Sequence, residues 1–348
     1  MTKKKSVFSQ ELIIAILVVA IYLFIRWRNA SFGNYNTLLN ILDISYYYVL
    51  MGIGVTFPLI TGGVDLSIGT GMICYALAGG YLIRFSGVPV WAAMLITVLF
   101  GVAIGAVNGT LISIMGLPPF LATLCTCMIT RGLGSVCSGS FAIPWPTDTD
   151  PTGNGWFHSI FKTTINNDSG LYGALKGSVG ALFPMDKRLT FIKAPLGFVW
   201  IILLLLLMQF ILSHTKFGRY TIAIGSNKEA TMLSGVNVKF YHVMAYVVCG
   251  LFAGLAAIAY AAYTPTVQPG TGAGMELDAI GGAIVGGVST TGGYGTIYGT
   301  VLGVYVIMLL KNGLPFMGLN ANWQQVITGT VLIVAVLIDI IKRRAMKK

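Results

Sequence analysis

Apolar runs long enough to cross a bilayer recur along the whole chain, and they constrain its fold more than any motif does. A hydrocarbon core of about 30 Å needs roughly 20 apolar residues in a helix. On that ruler ten segments stand out: 12–27, 38–60, 66–85, 90–115, 120–138, 196–213, 241–263, 277–288, 296–311 and 323–341. Of the 348 residues, 55% are hydrophobic and 9% charged, whereas a soluble domain carries about 25% charge. The expected fold is all-α: one polytopic transmembrane domain over residues 1–348, with about ten helices, some short or broken. The segment 277–288 is the shortest and is rich in glycine, as a re-entrant or broken helix would be.

The net charge of +11 does not describe a nucleic-acid surface. Basic residues gather at the N-terminus (Lys3, Lys4, Lys5), in the loop 214–240 (Lys216, Arg219, Lys228, Lys239) and at the C-terminus (Lys342, Arg343, Arg344, Lys347, Lys348). That is the positive-inside pattern of a membrane protein. Ten spans put both termini on one side, the cytoplasmic one, together with 214–240. The segment 142–193 then lies outside, although it carries Lys162, Lys176, Lys187, Arg188 and Lys193. It is rich in Pro, Gly, Asp and aromatics, including Pro144, Trp145, Asp148, Asp150 and Trp156, which suits a cap on the outer mouth. The basic start and first apolar run lack an A-x-A cleavage pattern, so that run is read as a retained span.

The polar stretch KFGRYTIAIGSNKEATMLSGVNVK (216–239) separates two spans. Ser226 and Glu229 have capping-box spacing, so a helix is expected from Asn227, with Ala230, Met232 and Leu233 on it. Gly235 suits the left-handed position that ends it after Ser234. A helix of two turns is too short to stand alone in water, so it reads either as a packed connector or as a plug for a soluble partner.

Two segments break the apolar rhythm. In TGGVDLSIG (61–69), Gly62 and Gly63 end one helix, and Asp65 or Ser67 caps the next. In GMELDAIGGAIVGGVSTTGGYGTIYG (274–299), Glu276 and Asp278 open a helix that runs into repeated glycines. Gly62–Gly63–Val64 recurs as Gly286–Gly287–Val288, and Asn108–Gly109 as Asn312–Gly313, a weak internal echo of the kind seen in transporters. Small-xxx-small spacing at Gly101/Gly105/Gly109, Gly250/Gly254 and Gly295/Gly299/Gly303 predicts close helix contacts. Arg131 falls inside a span and needs protein or water around it.

Chemistry-bearing signatures are absent. No Gly-Lys pair exists for a phosphate-binding loop, and no zinc or nucleophile-elbow motif occurs. Cys74, Cys125, Cys127, Cys137 and Cys249 lack ligand spacing and read as small buried residues. His158, His214 and His242 fall at loops or span ends and read as solvated or interfacial. Trp323, Gln324 and Gln325 read as an interfacial belt.

Taken in order, TGGVDLSIG (61–69), VNGTLI (107–112), LPPFLATL (117–124), FGRYTIAIGSNKEATMLSGVNV (217–238), ELDAIGGAIVGG (276–287), GTIYGT (295–300) and KNGL (311–314) resemble the permease subunits of bacterial ABC importers for simple sugars, the ribose- and galactose-type branch. The resemblance implies a pair of permeases, a second copy or a paralogue, forming one path through the inner membrane. It implies a cytoplasmic ATPase with two nucleotide-binding domains, which would hold ATP and magnesium, and an extracytoplasmic sugar-binding protein. This chain itself would hold no cofactor or metal. The segment Ser226, Asn227, Glu229, Ala230, Met232, Leu233, Ser234 and Gly235 would be the coupling helix that meets the ATPase. Motif position marks Gly62, Gly63, Asp65, Ser67, Asn108, Phe120, Glu276, Asp278 and Asn312 as candidate pathway residues. The segment 141–193 is longer than usual for the family. A branched-chain amino-acid or nucleoside permease is the neighbouring alternative. An ion-coupled secondary transporter would want mid-membrane acids or histidines.

Overall fold

The computed structural model describes residues 4–147, 154–161 and 196–347. All ten expected segments fall on helices. They are α1 (Lys4–Arg28), α2 (Tyr35–Ile60), α3 (Ile68–Ser86), α4 (Val90–Ser113), α5 (Pro119–Cys137), then, after a one-turn α6 (Trp156–Ser159), α7 (Leu196–His214). The chain continues through α8 (Lys216–Ser226), α9 (Lys228–Leu233), α10 (Val238–Tyr263), α11 (Met275–Val285), α12 (Ile297–Gly313) and α13 (Ala321–Lys347). Among the described residues, seven helices are long and apolar enough to cross a membrane. The fold is that of an all-α polytopic membrane protein.

Helix α2 is the axis of the bundle. Every residue from Ser45 to Ile60 is buried, so its sequence is apolar all round rather than striped, as a fully enclosed helix requires. It packs against α10, α11, α12 and α7. The Thr56 hydroxyl donates to the Gly52 carbonyl at 2.8 Å and lies 2.7 Å from the Thr300 hydroxyl on α12.

The small-residue spacing acts within the chain. Gly101 and Gly105 of α4 sit directly on Gly250 of α10. A methyl group on Gly101 would overlap the Gly250 carbonyl oxygen, and one on Gly105 would lie 3.1 Å from the Gly250 Cα. On the other side of the bundle, a methyl group on Gly282 of α11 would lie 2.7 Å from the Val304 Cα of α12. In lipid, helices gain little from burying apolar surface against one another, so such close backbone approach supplies the dispersion contact that holds them.

At one end a short antiparallel ladder joins β1 (Ile143–Pro144) to β2 (Thr266–Val267), pairing Ile143 with Val267. It holds Trp145, which is 2% exposed, over α3; its indole N–H donates to the Ala76 carbonyl at 2.9 Å, and its ring stacks on Phe157. The part of the expected outer cap at 148–153 and 162–195, with Asp148, Asp150, Lys162, Lys176, Lys187, Arg188 and Lys193, lies outside the described residues.

Four local expectations are corrected. The loop 214–240 contains a further helix, α8, whose Thr215 side chain accepts from the Gly218 N–H; its buried face (Gly218, Thr221, Ile224) repeats every three residues but is too mixed in polarity to stand out. Because α8 runs through Ser226, the cap of α9 is Asn227 and no Ser226–Glu229 capping box forms. Asn227 is extended and its Oδ1 accepts from the Ala230 N–H at 2.9 Å, which asparagine does as well as serine. His158 and His242 are buried rather than solvated; His242 shares the inward face of α10 with Ala245, Tyr246 and Cys249. Cys125 and Cys137 are exposed, on the outward side of α5, whereas Cys74 and Cys249 are buried.

Replacing Gly105 with Leu is expected to lower the unfolding midpoint in detergent by an amount equivalent to about 1–3 kcal/mol, the usual cost of overpacking. Gly132→Leu, at a site with no atom within 4 Å, is expected to leave it unchanged. Thermal unfolding followed by tryptophan fluorescence checks both.

Candidate functional site

Two broken helices meet at one end of the bundle. Helix α2 stops at Ile60, and Gly62, at φ +85°, turns the chain back. The Gly62 N–H donates to the Leu59 carbonyl and the Gly63 N–H to the Pro58 carbonyl. Helix α11 stops at Val285 in the same manner: Gly287, at φ +91°, donates to Ile284, and Val288 donates to Ala283. These bonds satisfy the carbonyls that a helix end leaves open. The pairing of Gly62 with Gly287 shifts the repeat by one residue from the Gly62–Gly286 match in sequence, because the left-handed position, not letter identity, sets the register.

Beyond the first turn the non-helical stretch 63–67 buries Gly63, Asp65 and Ser67, and a polar cluster gathers on it. Asp65 is 1% exposed. Its Oδ1 accepts from the Ser67 N–H at 2.9 Å and from the Ser67 hydroxyl at 2.6 Å. The Cys249 side chain of α10 is buried close by. From α4, the Asn108 amide donates to the Ser67 hydroxyl at 2.9 Å, and its Oδ1 accepts from the Thr126 hydroxyl of α5 at 2.7 Å. Burial pushes the Asp65 carboxyl above the usual carboxylate range, while the donors from Ser67 and Asn108 pull it back. Ser67 stands at the N-cap position of α3 without a side-chain cap bond; Asp65 holds Ser67 in place instead. Gly63 is packed against the Tyr246 ring, where a methyl group would overlap the hydroxyl.

Of the sequence-marked residues, Gly62, Gly63, Asp65, Ser67 and Asn108 therefore form one cluster. Glu276 is buried beside it: its carboxylate accepts from the Gly274 N–H at 3.0 Å and lies against Gly69 in the first turn of α3. Asp278 is apart, ion-paired with Lys311 of α12, whose ammonium is 3.1 Å from the Tyr48 hydroxyl. Asn312 turns back on its own helix, donating to the Met308 carbonyl at 2.9 Å. Phe120 is 61% exposed on the first turn of α5, and Arg131 is exposed further along that helix.

Thr126, Cys249 and Tyr246 belong to the cluster and were not marked. A signal for one of them was present: Thr123, Thr126 and Thr130 form a polar stripe at helical spacing in an apolar run. Thr123 donates to the Val64 carbonyl at 3.2 Å, and Thr130 lies 2.9 Å from the Thr70 hydroxyl.

The short helix α9 projects from the same end. Thr231 is buried; Met232 is 60% and Leu233 85% exposed. Gly235, at φ +83°, ends it as expected, with the Gly235 N–H donating to the Met232 carbonyl at 3.0 Å. Lys216, Arg219, Lys228 and Lys239 are exposed around it. No group of three or more His, Cys, Asp or Glu able to hold a metal occurs among the described residues.

A broken-helix bundle with a buried polar cluster and an exposed capped helix defines a multi-pass membrane protein of the transporter kind. The chain belongs to the family described as branched-chain amino acid transport system / permease component, whose model matches residues 37–336. It is 33% identical to the ribose import permease protein of Escherichia coli strain K12, over 97% of this chain and 95% of that one. It is 31% identical to the fructose import permease protein of Bifidobacterium longum, over 97% and 93%. It is 29% identical to the galactose/methyl galactoside import permease protein of Salmonella typhimurium, over 95% and 93%. No solved structure matches the chain.

Replacing Asp65 with Ala removes the acceptor shared by Ser67 and Asn108 and is expected to destabilise the fold by about 1–3 kcal/mol. Asp65→Asn keeps an acceptor oxygen and is expected to cost less. Unfolding midpoints of the two variants in detergent order them.

Proposed function

We propose that this chain is the translocation subunit of an ATP-driven importer for a monosaccharide or similar small polar solute, working by alternating access. The observation that carries this reading is the end-to-end similarity to permeases named for ribose, fructose and galactose import. One permease domain over residues 1–348 pairs with a second copy or a paralogue. A partner ATPase with two nucleotide-binding domains hydrolyses ATP with magnesium, and an extracytoplasmic binding protein delivers the sugar. This chain holds no cofactor and is not an enzyme. Its exposed basic residues around α9 favour a cytoplasmic location for that end, and with it both termini in a bacterial inner membrane.

Helix α9 supports the ATPase contact. Its cap and its left-handed stop fix a six-residue helix that displays two large apolar side chains to water. Exposed apolar groups on a rigid, charge-rimmed element are what a docking groove recognises. The cluster Gly62, Gly63, Asp65, Ser67 and Asn108, with Glu276, is the part of the bundle we assign to the path. Its Ser67 hydroxyl and Asn108 amide are groups that can hydrogen-bond a neutral polyol. The family description names branched-chain amino acids, and the Asp65 and Glu276 carboxylates are groups that could face the ammonium of such a solute, which makes leucine the competing substrate in the test.

The test is uptake into proteoliposomes containing this chain, its ATPase and its binding protein, with radiolabelled ribose, fructose, galactose and leucine compared. ATP-dependent accumulation of one sugar, without leucine, is expected. Leucine uptake alone would replace the sugar reading, and uptake driven by an ion gradient without ATP would overturn the ABC reading. In the same system, Met232→Asp together with Leu233→Asp is expected to lower ATPase co-purification about tenfold or more, as loss of an apolar anchor does. The unfolding midpoint is expected to stay unchanged, because both side chains are exposed.

A further inference from the structure

The end of α8 is wedged between the end of α2 and the Gly292–Gly293 pair in the loop between α11 and α12. A methyl group on Gly225 would overlap both the Ile60 carbonyl oxygen, at the end of α2, and the Gly293 nitrogen. The Gly293 N–H donates to that same Ile60 carbonyl at 2.8 Å. A methyl group on Gly292 would lie 2.9 Å from the Gly62 nitrogen and 3.1 Å from the Gly225 Cα. Three main chains therefore touch with no side chain between them. The last residue of α8, Ser226, has its hydroxyl 3.5 Å from the Gly293 carbonyl, and the next residue, Asn227, is the cap of α9.

A contact made of backbone cannot absorb a displacement by changing rotamer, and close-packed interiors transmit strain. The turn it presses on is itself braced. The Ser289 N–H donates to the Tyr294 carbonyl at 2.9 Å, closing the loop 289–294. The Thr296 side chain caps α12, and its hydroxyl donates to Glu11 of α1 at 2.7 Å. The Ile297 N–H donates to Gln209 of α7 at 2.8 Å. A push at Ser226 thus meets the end of α2 and the start of α12 together, and α12 is held by side chains from α1 and α7.

We propose that the backbone junction of Gly225, Gly292 and Gly293 on the Ile60 carbonyl is the contact through which movement of α9 is passed to both halves of the bundle. Gly225 is its positioning residue. The proposal rests on α9 being the ATPase contact. It adds where the motion goes next: to the α2–α3 turn that carries Asp65 and to the α11–α12 turn, rather than along α10 alone.

The experiment uses the assembled importer in proteoliposomes, with whichever of radiolabelled ribose, fructose or galactose the unaltered complex transports. Gly225→Ala is expected to keep its ATPase at the normal ratio and to hydrolyse ATP, while sugar moved per ATP falls about tenfold, a coupling loss of ordinary size. Unchanged transport per ATP in the folded variant would overturn the proposal. A second measurement needs no variant: hydrogen exchange in the unaltered complex, nucleotide-free against vanadate-trapped. Exchange at 227–235 and at 289–296 is expected to change together. A change at 227–235 with none at 289–296 overturns the junction and leaves the coupling helix standing. A change at 289–296 with none at 227–235 overturns the coupling-helix reading and this proposal with it.

Discussion

A helix interrupted inside an apolar bundle leaves backbone donors and acceptors that hydrocarbon cannot satisfy, and this chain meets that requirement twice. At Gly62 and at Gly287 the left-handed turn folds the succeeding N–H groups back onto the open carbonyls of the helix just ended. The two turns then lead into different chemistry. After the first, the non-helical stretch is held by a carboxylate, Asp65, with Ser67, Asn108 and Thr126. After the second, the Ser289 hydroxyl donates to the Gly292 carbonyl at 2.7 Å, and the Ser289 N–H donates to the Tyr294 carbonyl.

The same economy of side chains governs the packing. Where α4 meets α10 and where α11 meets α12, glycine replaces the large apolar residues that fill the core of a soluble protein. Close approach then brings main-chain atoms within reach of one another, so a local shift in one helix is felt by its neighbour directly. Other large apolar side chains point outward, on α1, α5 and α7 in particular, as a lipid-facing surface requires.

Helices were legible because the apolar period is long and strong: all ten segments were placed from hydropathy alone. The glycine turns and the acid-capped start of α11 were legible from residue type. The partnership of residues far apart in sequence was not. Asp65 could be seen as a cap, but not as the meeting point of Ser67, Asn108 and Cys249, because side chains on three different elements meet only after the helices cross. Ser226 misled because two adjacent residues, Ser226 and Asn227, are both competent caps, and only the length of α8 chooses between them. Gly225 carried no signal at all. A lone glycine near a helix end reads as a stop, and its close approach to Ile60 depends on a turn sixty-eight residues further on (225 against 293).

The shortness of α9 has a mechanical consequence. Six residues at the α-helical rise make an arm about 9 Å long, and its cap, Asn227, stands two residues (227 against 225) from the Gly225 junction. An arm so short has little leverage in amplitude. If α9 meets the ATPase as proposed, displacing its tip would shift its root by a similar distance, and the element would act as a stiff pushrod rather than as an amplifier. Under the coupling role proposed for α9, the stroke reaching the bundle would be set by how far the partner ATPase moves.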